Sequence, residues 1–444
     1  MSDKEDRQEQ PFLLEDDGTD VSVLFSQALR ETAEHLSDEQ AISYLSSVLE
    51  GTAVEGEDLL FERIAPERVS HLSAPSYQPD RAMREASLAP KEYWKENNEG
   101  ELSYVASNEF EVYLGSVDHP LEIREVLQEI RKLNESTVLT ARIVLGLWNS
   151  RRYNKQVSRD GSVAILLDEI LQWQGTQKHS RVVHPGSAKR YTEGYRTEQK
   201  RHVLQDMELL ASCHVRGSSR ILFRGKATTI EIDGPYLRYS TVSRKSIWEE
   251  PILLGFLVAP GGWIGTYEEQ QNSLFAQIDS QIFRLNPQND RYALRIALYL
   301  TERWREQAKD GAFSTPLVMT DLLSASMISI DKRHINEFAP AIEKSLLHLE
   351  RMGVIGKQQC LAGFHVGVDN AQTHTCMKIH QDSSDKAEVN PCSTALISDQ
   401  TRWSKDWLAS RWEILPPLSL IQAYQPKIER RKRGRPRKNE STTK

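Results

Sequence analysis

Apolar positions in this chain fall into blocks of different period. Over residues 1–100 they form only short helical snippets, Val23, Leu24, Ala28 and Leu29, then Ile42, Leu45, Val48 and Leu49, broken by acidic, Ser-, Gly- and Pro-bearing stretches. Such a segment is expected to lack a core of its own. After Pro120 the pattern strengthens, with Leu121, Ile123, Val126, Leu127 and Ile130 on one helical stripe and residues 137–148 reading as a mostly buried helix that ends at Asn149-Ser150-Arg151-Arg152. A β-type run over 162–167 leads into a short helix over 168–173, stopped by Gly175. Beyond a basic loop containing Gly, Ser and Pro, a third helix is expected from Thr197 as N-cap to about Ser212, with Val203, Leu204, Met207 and Leu210 as its apolar stripe. β-prone runs over 213–216, 221–224, 228–232 and 236–242 follow, with a Gly-Ser-Ser turn among them.

Helix, strand, helix, basic helix and hairpin is the order of the winged helix-turn-helix, whose third helix enters the DNA major groove while the hairpin touches the flanking backbone. The order recurs downstream. Residues 292–307 predict a long helix (Leu294, Ala297, Leu298, Leu300, Trp304), 315–319 a strand, and 322–327 a short helix capped by Thr320 or Asp321. A long helix carrying Ile335, Phe338, Ile342, Leu346 and Leu349 then precedes a hairpin start at 353–356. The repetition reads as an internal duplication. The expected fold class is α+β, two tandem winged helix-turn-helix domains joined by a short β segment. The expected boundaries are an acidic, largely flexible arm over 1–119, a first winged-helix domain over 120–250 and a connecting β segment over 251–285. A second winged-helix domain over 286–420 follows, with a mobile loop at 360–398 and a cluster of Trp403, Trp407 and Trp412, and then a basic tail over 421–444.

Composition adds exclusions. The longest apolar run, 251–260, is about half the ~20 residues that cross a membrane, so no membrane partner is expected. The polar, acidic start predicts no secretory signal, and four cysteines in 444 residues predict reduced thiols in a cytoplasmic protein. The net charge of −7 hides opposite blocks. Residues 1–100 hold 23 acidic against 9 basic side chains, 427–438 hold 8 basic against one acidic, and 151–226 hold 15 basic against 7 acidic. Blocks of opposite sign suggest an acidic arm, a basic working surface and a basic tail.

The sharpest motif is the tail RKRGRPRK, residues 431–438. Its Arg433, Gly434, Arg435 and Pro436, with Arg437 and Lys438 behind them, resemble the AT-hook, a minor-groove-binding peptide with an Arg-Gly-Arg-Pro core. Gly434 lets the backbone approach the groove floor, Pro436 keeps the chain extended, and the guanidinium groups suit the narrow, negative groove of A/T-rich DNA. Lys432 stands where many members of that family have Pro. The second constellation is the basic surface of the first module: Arg151 and Arg152 after its first helix; Lys189, Arg190, Tyr195, Arg196, Lys200 and Arg201 around its third; Arg216, Arg220, Arg224 and Lys226 on the expected wing. These are the predicted contacts to double-stranded DNA. The second module's long helix mixes both signs, which leaves weaker DNA contact or homodimerisation open.

No cofactor or catalytic site is expected: no nucleotide-binding Gly-Lys loop and no hydrolase, kinase or paired-His signature occurs. Cys360, His374, Cys376 and His380 lie close in sequence but lack the spacing of common zinc modules, so no metal is assigned. Two winged-helix modules joined by a β segment resemble, over roughly 120–415, the plasmid replication initiators that bind repeated origin sequences. That resemblance implies origin binding, opening of A/T-rich DNA and recruitment of replication factors. A transcriptional or partition regulator using the same modules and transcription machinery, and a protein-interaction scaffold built on the acidic arm, are the alternatives.

Overall fold

The computed structural model describes residues 64–115, 123–182, 190–244, 252–264, 275–366, 376–378 and 400–424, apart from positions 98, 155, 159, 224–225 and 363. In chain order the elements are β1 (His71–Pro75), α1 (Gln78–Leu88), β2 (Lys95–Glu96), β3 (Leu102–Val105), β4 (Glu111–Leu114), α2 (Ile123–Ile130), α3 (Glu135–Tyr153), β5 (Val163–Leu166), α4 (Leu167–Trp173), β6 (His179–Val182), β7 (Arg190–Gly194) and α5 (Thr197–Ser212). They continue as β8 (Cys213–Phe223), β9 (Lys226–Pro235), β10 (Leu237–Arg244), β11 (Ile252–Pro260), β12 (Phe275–Asp279), α6 (Arg291–Gln307), β13 (Leu317–Val318), α7 (Met319–Ala325) and α8 (Ile335–Arg351). The last are β14 (Lys357–Ala362), β15 (Phe364–Val366), β16 (Cys376–Lys378), α9 (Gln400–Leu408), β17 (Arg411–Leu415) and α10 (Leu418–Tyr424).

The duplicated order is visible in the sheets. In the first unit β5 pairs with β11 and β11 with β10, giving the order β10-β11-β5; in the second, β13 pairs with β17 and β17 with β14. In each, the last strand in sequence lies between the other two. Gly255 in β11 serves this arrangement, because a Cβ there would strike the carbonyl oxygen of Ile165 on β5. The second sheet closes only when the chain returns at β17, where Trp412 pairs with both Leu317 and Cys360. The predicted tryptophan cluster packs there, with Trp407 and Trp412 buried and the Trp407 indole donating to Glu343 at 2.9 Å.

Three expected boundaries need correction. Residues 71–114 are no flexible arm. Strand β1 pairs antiparallel with β12, β2, β3 and β4 join β8 and β9 in a five-stranded sheet, and Leu72, Ala74, Met83, Phe110 and Val112 are buried. The acidity of this stretch misled because Asp80 and Glu85 are buried among cationic and hydroxyl partners. Residues 251–285 are no connector either: β11 is the central strand of the first unit's sheet and β12 holds β1. Nor are residues 176–196 only a loop, since β6 and β7 form an antiparallel ribbon there. Strand β8 runs straight through the expected Gly-Ser-Ser turn, pairing Ser218 with Glu231. Of the stretch 360–398, β14 reaches Ala362 and β15 pairs with β16; the other residues lie outside the described ones, as do most of the tail and residues 1–63.

Among the described residues a main hydrophobic core joins most of these elements, beside a small second cluster of Ala164, Leu166, Val242 and Leu254. Helix α3, N-capped by Asn134, which accepts from the Ser136 amide at 2.7 Å, is buried along most of its length. Gly146 lets β1 lie against it, for a Cβ would collide with Leu72. Inside the core sits a charged cluster drawn from distant elements. Arg142 on α3 donates to the Pro75 carbonyl at 2.7 Å, to Asp80 on α1, and to Glu302 on α6 at 2.5 Å. Arg84 on α1 donates to the same Glu302 oxygen at 2.9 Å and to the Ala325 carbonyl at 3.2 Å, while the Tyr236 hydroxyl donates to Asp80 at 2.7 Å. Among the described residues no helix is long and apolar enough to cross a membrane.

Burial pushes the Asp80 carboxyl up to about 6, against the pull of Arg142 and Tyr236. Burial acts on Glu302 in the same sense, but Arg84 and Arg142 outweigh it and hold that carboxyl below its ordinary value. A carboxyl raised in the native state binds more protons folded than unfolded between its two pKa values. Its contribution to stability therefore falls as pH rises from roughly 4 to 6. Asp80→Asn is expected to remove a component on the order of 1–3 kcal/mol from the pH dependence between pH ~4 and ~7. Urea unfolding of both proteins across that range measures it, and parallel profiles would refute the effect.

Candidate nucleic-acid interface

Helix α5 begins where it does because Arg196 is extended and its amide donates to the Gln199 side chain at 2.9 Å, closing the first turn. Thr197, the expected N-cap, is the first helical residue. Val203, Met207 and Leu210 face the core as the periodicity predicts. The helix is fixed on α3 by Asp206, which accepts from the hydroxyls of Ser136, Thr137 and Thr140 at 2.9, 3.0 and 2.8 Å. Burial raises the Asp206 carboxyl, and the three hydroxyls counter it. With that face fixed, Arg196, Arg201 and His202 stand exposed on the first turns.

Around this helix start the structure gathers some predicted residues and adds others. The Lys178 ammonium lies 5.5 Å from the centre of the Tyr195 ring, and an Arg196 guanidinium nitrogen is 3.4 Å from His179 Nδ1. Lys200 pairs with Asp168 of α4 at 3.2 Å, both about one-third exposed. Arg190 opens β7, opposite Val182 on β6. Lys178, His179 and His202 were not singled out from sequence; the alternation in His179-Ser180-Arg181-Val182 and Arg190-Tyr191-Thr192-Glu193 was the available strand signal.

Other predicted contacts lie elsewhere. Arg151 is fully buried and donates to both carboxylate oxygens of Glu169, at 2.8 and 2.6 Å, so it is a core ion pair and not a surface cation. Arg152 sits 5.4 Å over the Trp148 ring. Arg216 packs 4.6 Å over Tyr113 within a ring of carboxylates, 2.8 Å from Glu99, 3.0 Å from Asp233, 3.5 Å from Glu101 and 3.8 Å from Glu111. These acids neutralise it, and its expected phosphate contact is withdrawn. Arg220 and Lys226 lie on β8 and β9, which belong to the five-stranded sheet and not to the β10–β11 hairpin. Strand β8 leaves the C-terminal end of α5, about 24 Å from Arg196 for a helix of 16 residues. Lys189, Arg224, the tail residues Arg433, Gly434, Arg435, Pro436, Arg437 and Lys438, and also His374 and His380, lie outside the described residues.

In the second unit, the α8 start is organised by Asp331, which accepts from the Arg333 and His334 amides at 2.9 and 3.1 Å and from the His334 ring at 3.0 Å. That contact raises the His334 pKa and lowers that of Asp331. The start of α8 is thus partly self-neutralised where that of α5 is cationic.

No protein-family model and no curated protein matches the sequence. Among solved structures, two crystal structures of domains 2 and 3 of RctB are similar. One aligns at 10% identity over 61% of this chain and 85% of that one with a TM-score of 0.33; the other at 11% identity over 78% and 99% with a TM-score of 0.34. Likeness at this level carries no functional conclusion, which must come from the chain's own residues.

Arg151→Ala is expected to cost on the order of 3–5 kcal/mol of unfolding free energy by stranding buried Glu169. Denaturant unfolding measures this; a loss below about 1 kcal/mol would return Arg151 to the list of surface cations.

Proposed function

We propose that this chain is a non-enzymatic, sequence-specific DNA-binding protein of the plasmid replication initiator type, working in the bacterial cytosol. Both repeated units are read as winged helix-turn-helix modules, with α5 and α8 as the third helices and the β10–β11 and β14–β17 pairs as the wings. One observation carries the assignment: the first turns of α5 expose Arg196 and Arg201, with Lys200 part-exposed beside Asp168, while Asp206 locks the helix to α3. A rigid helix with a cationic start suits the major groove, its side chains reaching base edges and its neighbours meeting phosphates. The tail supplies a second, minor-groove contact to A/T-rich DNA through Arg433, Gly434, Arg435 and Pro436. A reader of duplex repeats joined to a peptide that favours A/T-rich DNA is a combination suited to opening an origin.

Salt-dependent gel shifts of the full chain, on sites selected from random DNA, test the binding. Retarded complexes that weaken from about 50 to 200 mM salt are expected, with Arg201→Ala costing roughly 1–3 kcal/mol and blurring the selected sequence. No complex at any salt in that range removes the assignment. Maintenance of a replicon in a new host by this gene and adjacent repeats supports initiation, whereas repression of a nearby promoter alone supports the regulator.

For the tail, replacing Arg435 and Pro436 with Ala should weaken binding to sites with A/T-rich flanks more than to sites with G/C-rich flanks. Equal losses on both would reduce the tail to a nonspecific tether.

A further inference from the structure

The β6–β7 ribbon has no role in the module just described. It is inserted between α4 and α5, where a helix-turn-helix needs only a short turn, and among the described residues it pairs with no other sheet. An isolated two-stranded ribbon is marginally stable in water, so it calls for a surface to lie against. Its charge names that surface: its described residues, 178–182 and 190–196, hold four cations, Lys178, Arg181, Arg190 and Arg196, against Glu193 alone. Its position is fixed by the contacts at its base, Lys178 over Tyr195 and His179 beside Arg196, which root it at the N-terminal end of α5.

The register places Arg181 opposite Tyr191 and Val182 opposite Arg190. Directly opposed residues share a face of the ribbon. Two successive pairs of the ribbon therefore each include an arginine position. Four paired positions cover about 13 Å, comparable to the width of a DNA major groove, about 12 Å.

We propose that the β6–β7 ribbon is a second DNA-contacting element, laid along the phosphate backbone beside the groove that α5 enters and lengthening the site on one flank. The proposal rests on the DNA-binding reading above and names a further part of that interface. A polyanion fits four cations against one acid; an acidic protein surface is the rival.

The test uses the full chain carrying Arg181→Ala and Arg190→Ala together, on a selected duplex site, with salt titration and hydroxyl-radical footprinting. Affinity at about 150 mM salt should fall roughly tenfold, and the slope of log affinity against log salt should shrink by about 2. Protection should be lost on one flank while the preferred base sequence stays the same. Arg181→Lys with Arg190→Lys should restore slope and footprint, which a ribbon acting only through folding would not require. Unchanged affinity, slope and footprint in the alanine variant overturn the proposal and favour the protein rival. Lost affinity with an unaltered slope and footprint overturns it too, making the ribbon structural. If the wild-type chain itself binds no duplex in a salt-dependent manner, the DNA-binding reading fails, and the ribbon proposal falls with it.

Discussion

The burial of charge at the junction of the two repeated units is the constraint on which the rest depends. Arg84, Arg142, Asp80 and Glu302 are all at most a few per cent exposed, and they come from α1, α3 and α6. A buried guanidinium left without its carboxylate is costly, so these helices are satisfied only when docked in this one arrangement. Packing of apolar faces is more forgiving of small shifts than ion pairs of this geometry. Glu302, which accepts from both arginines through one oxygen, ties the second unit to the α1 and α3 layer. Arg295 of α6 adds a further tie to Glu135, at 2.7 Å, at the start of α3. Helices α5 and α8 therefore sit on one continuous core, and the spacing between them is a property of the fold.

The two units keep one topology and differ in what is inserted and in how the third helix starts. The first unit accepts the β6–β7 ribbon before α5 and the β8–β9 strands after it; the second runs directly from α8 into β14. At the start of α5 Arg196 and Arg201 stand exposed and Lys200 pairs with Asp168, with Asp206 turned inward onto three hydroxyls. Just before α8, Asp331 accepts from the Arg333 and His334 amides and faces solvent beside His334. The same framework thus presents a cationic helix start in one copy and a mixed one in the other.

Charge counted along the chain overstates the basic surface because partners arrive from far away in sequence. Arg151 is neutralised by a residue 18 positions on, and Arg216 by acids more than 100 positions earlier as well as by Asp233. The acidic excess is also redistributed. Of the 23 acidic residues in the first hundred, 17 precede position 64, while Asp80 and Glu85 are structural groups of the core.

Periodicity alone determined the main helices of the two units and their inward faces: Val203, Met207 and Leu210 of α5 and Phe338, Ile342, Leu346 and Leu349 of α8 are buried as their spacing predicts, whereas Ile123 of the α2 stripe is exposed; the repeated helix-strand-helix order was legible because local spacing encodes it. The cationic start of α5 was legible for the same reason, since Arg196, Lys200 and Arg201 are neighbours in sequence and on the helix surface. Strand partners were not, because a short strand carries no record of what it pairs with. Only tertiary structure could place β1 against β12, some 200 residues away, or make β11 and β17 the central strands of their sheets. Only it could separate cations that face solvent from those that are consumed. The sign of a side chain is local, but its availability depends on which carboxylates the fold brings within about 4 Å.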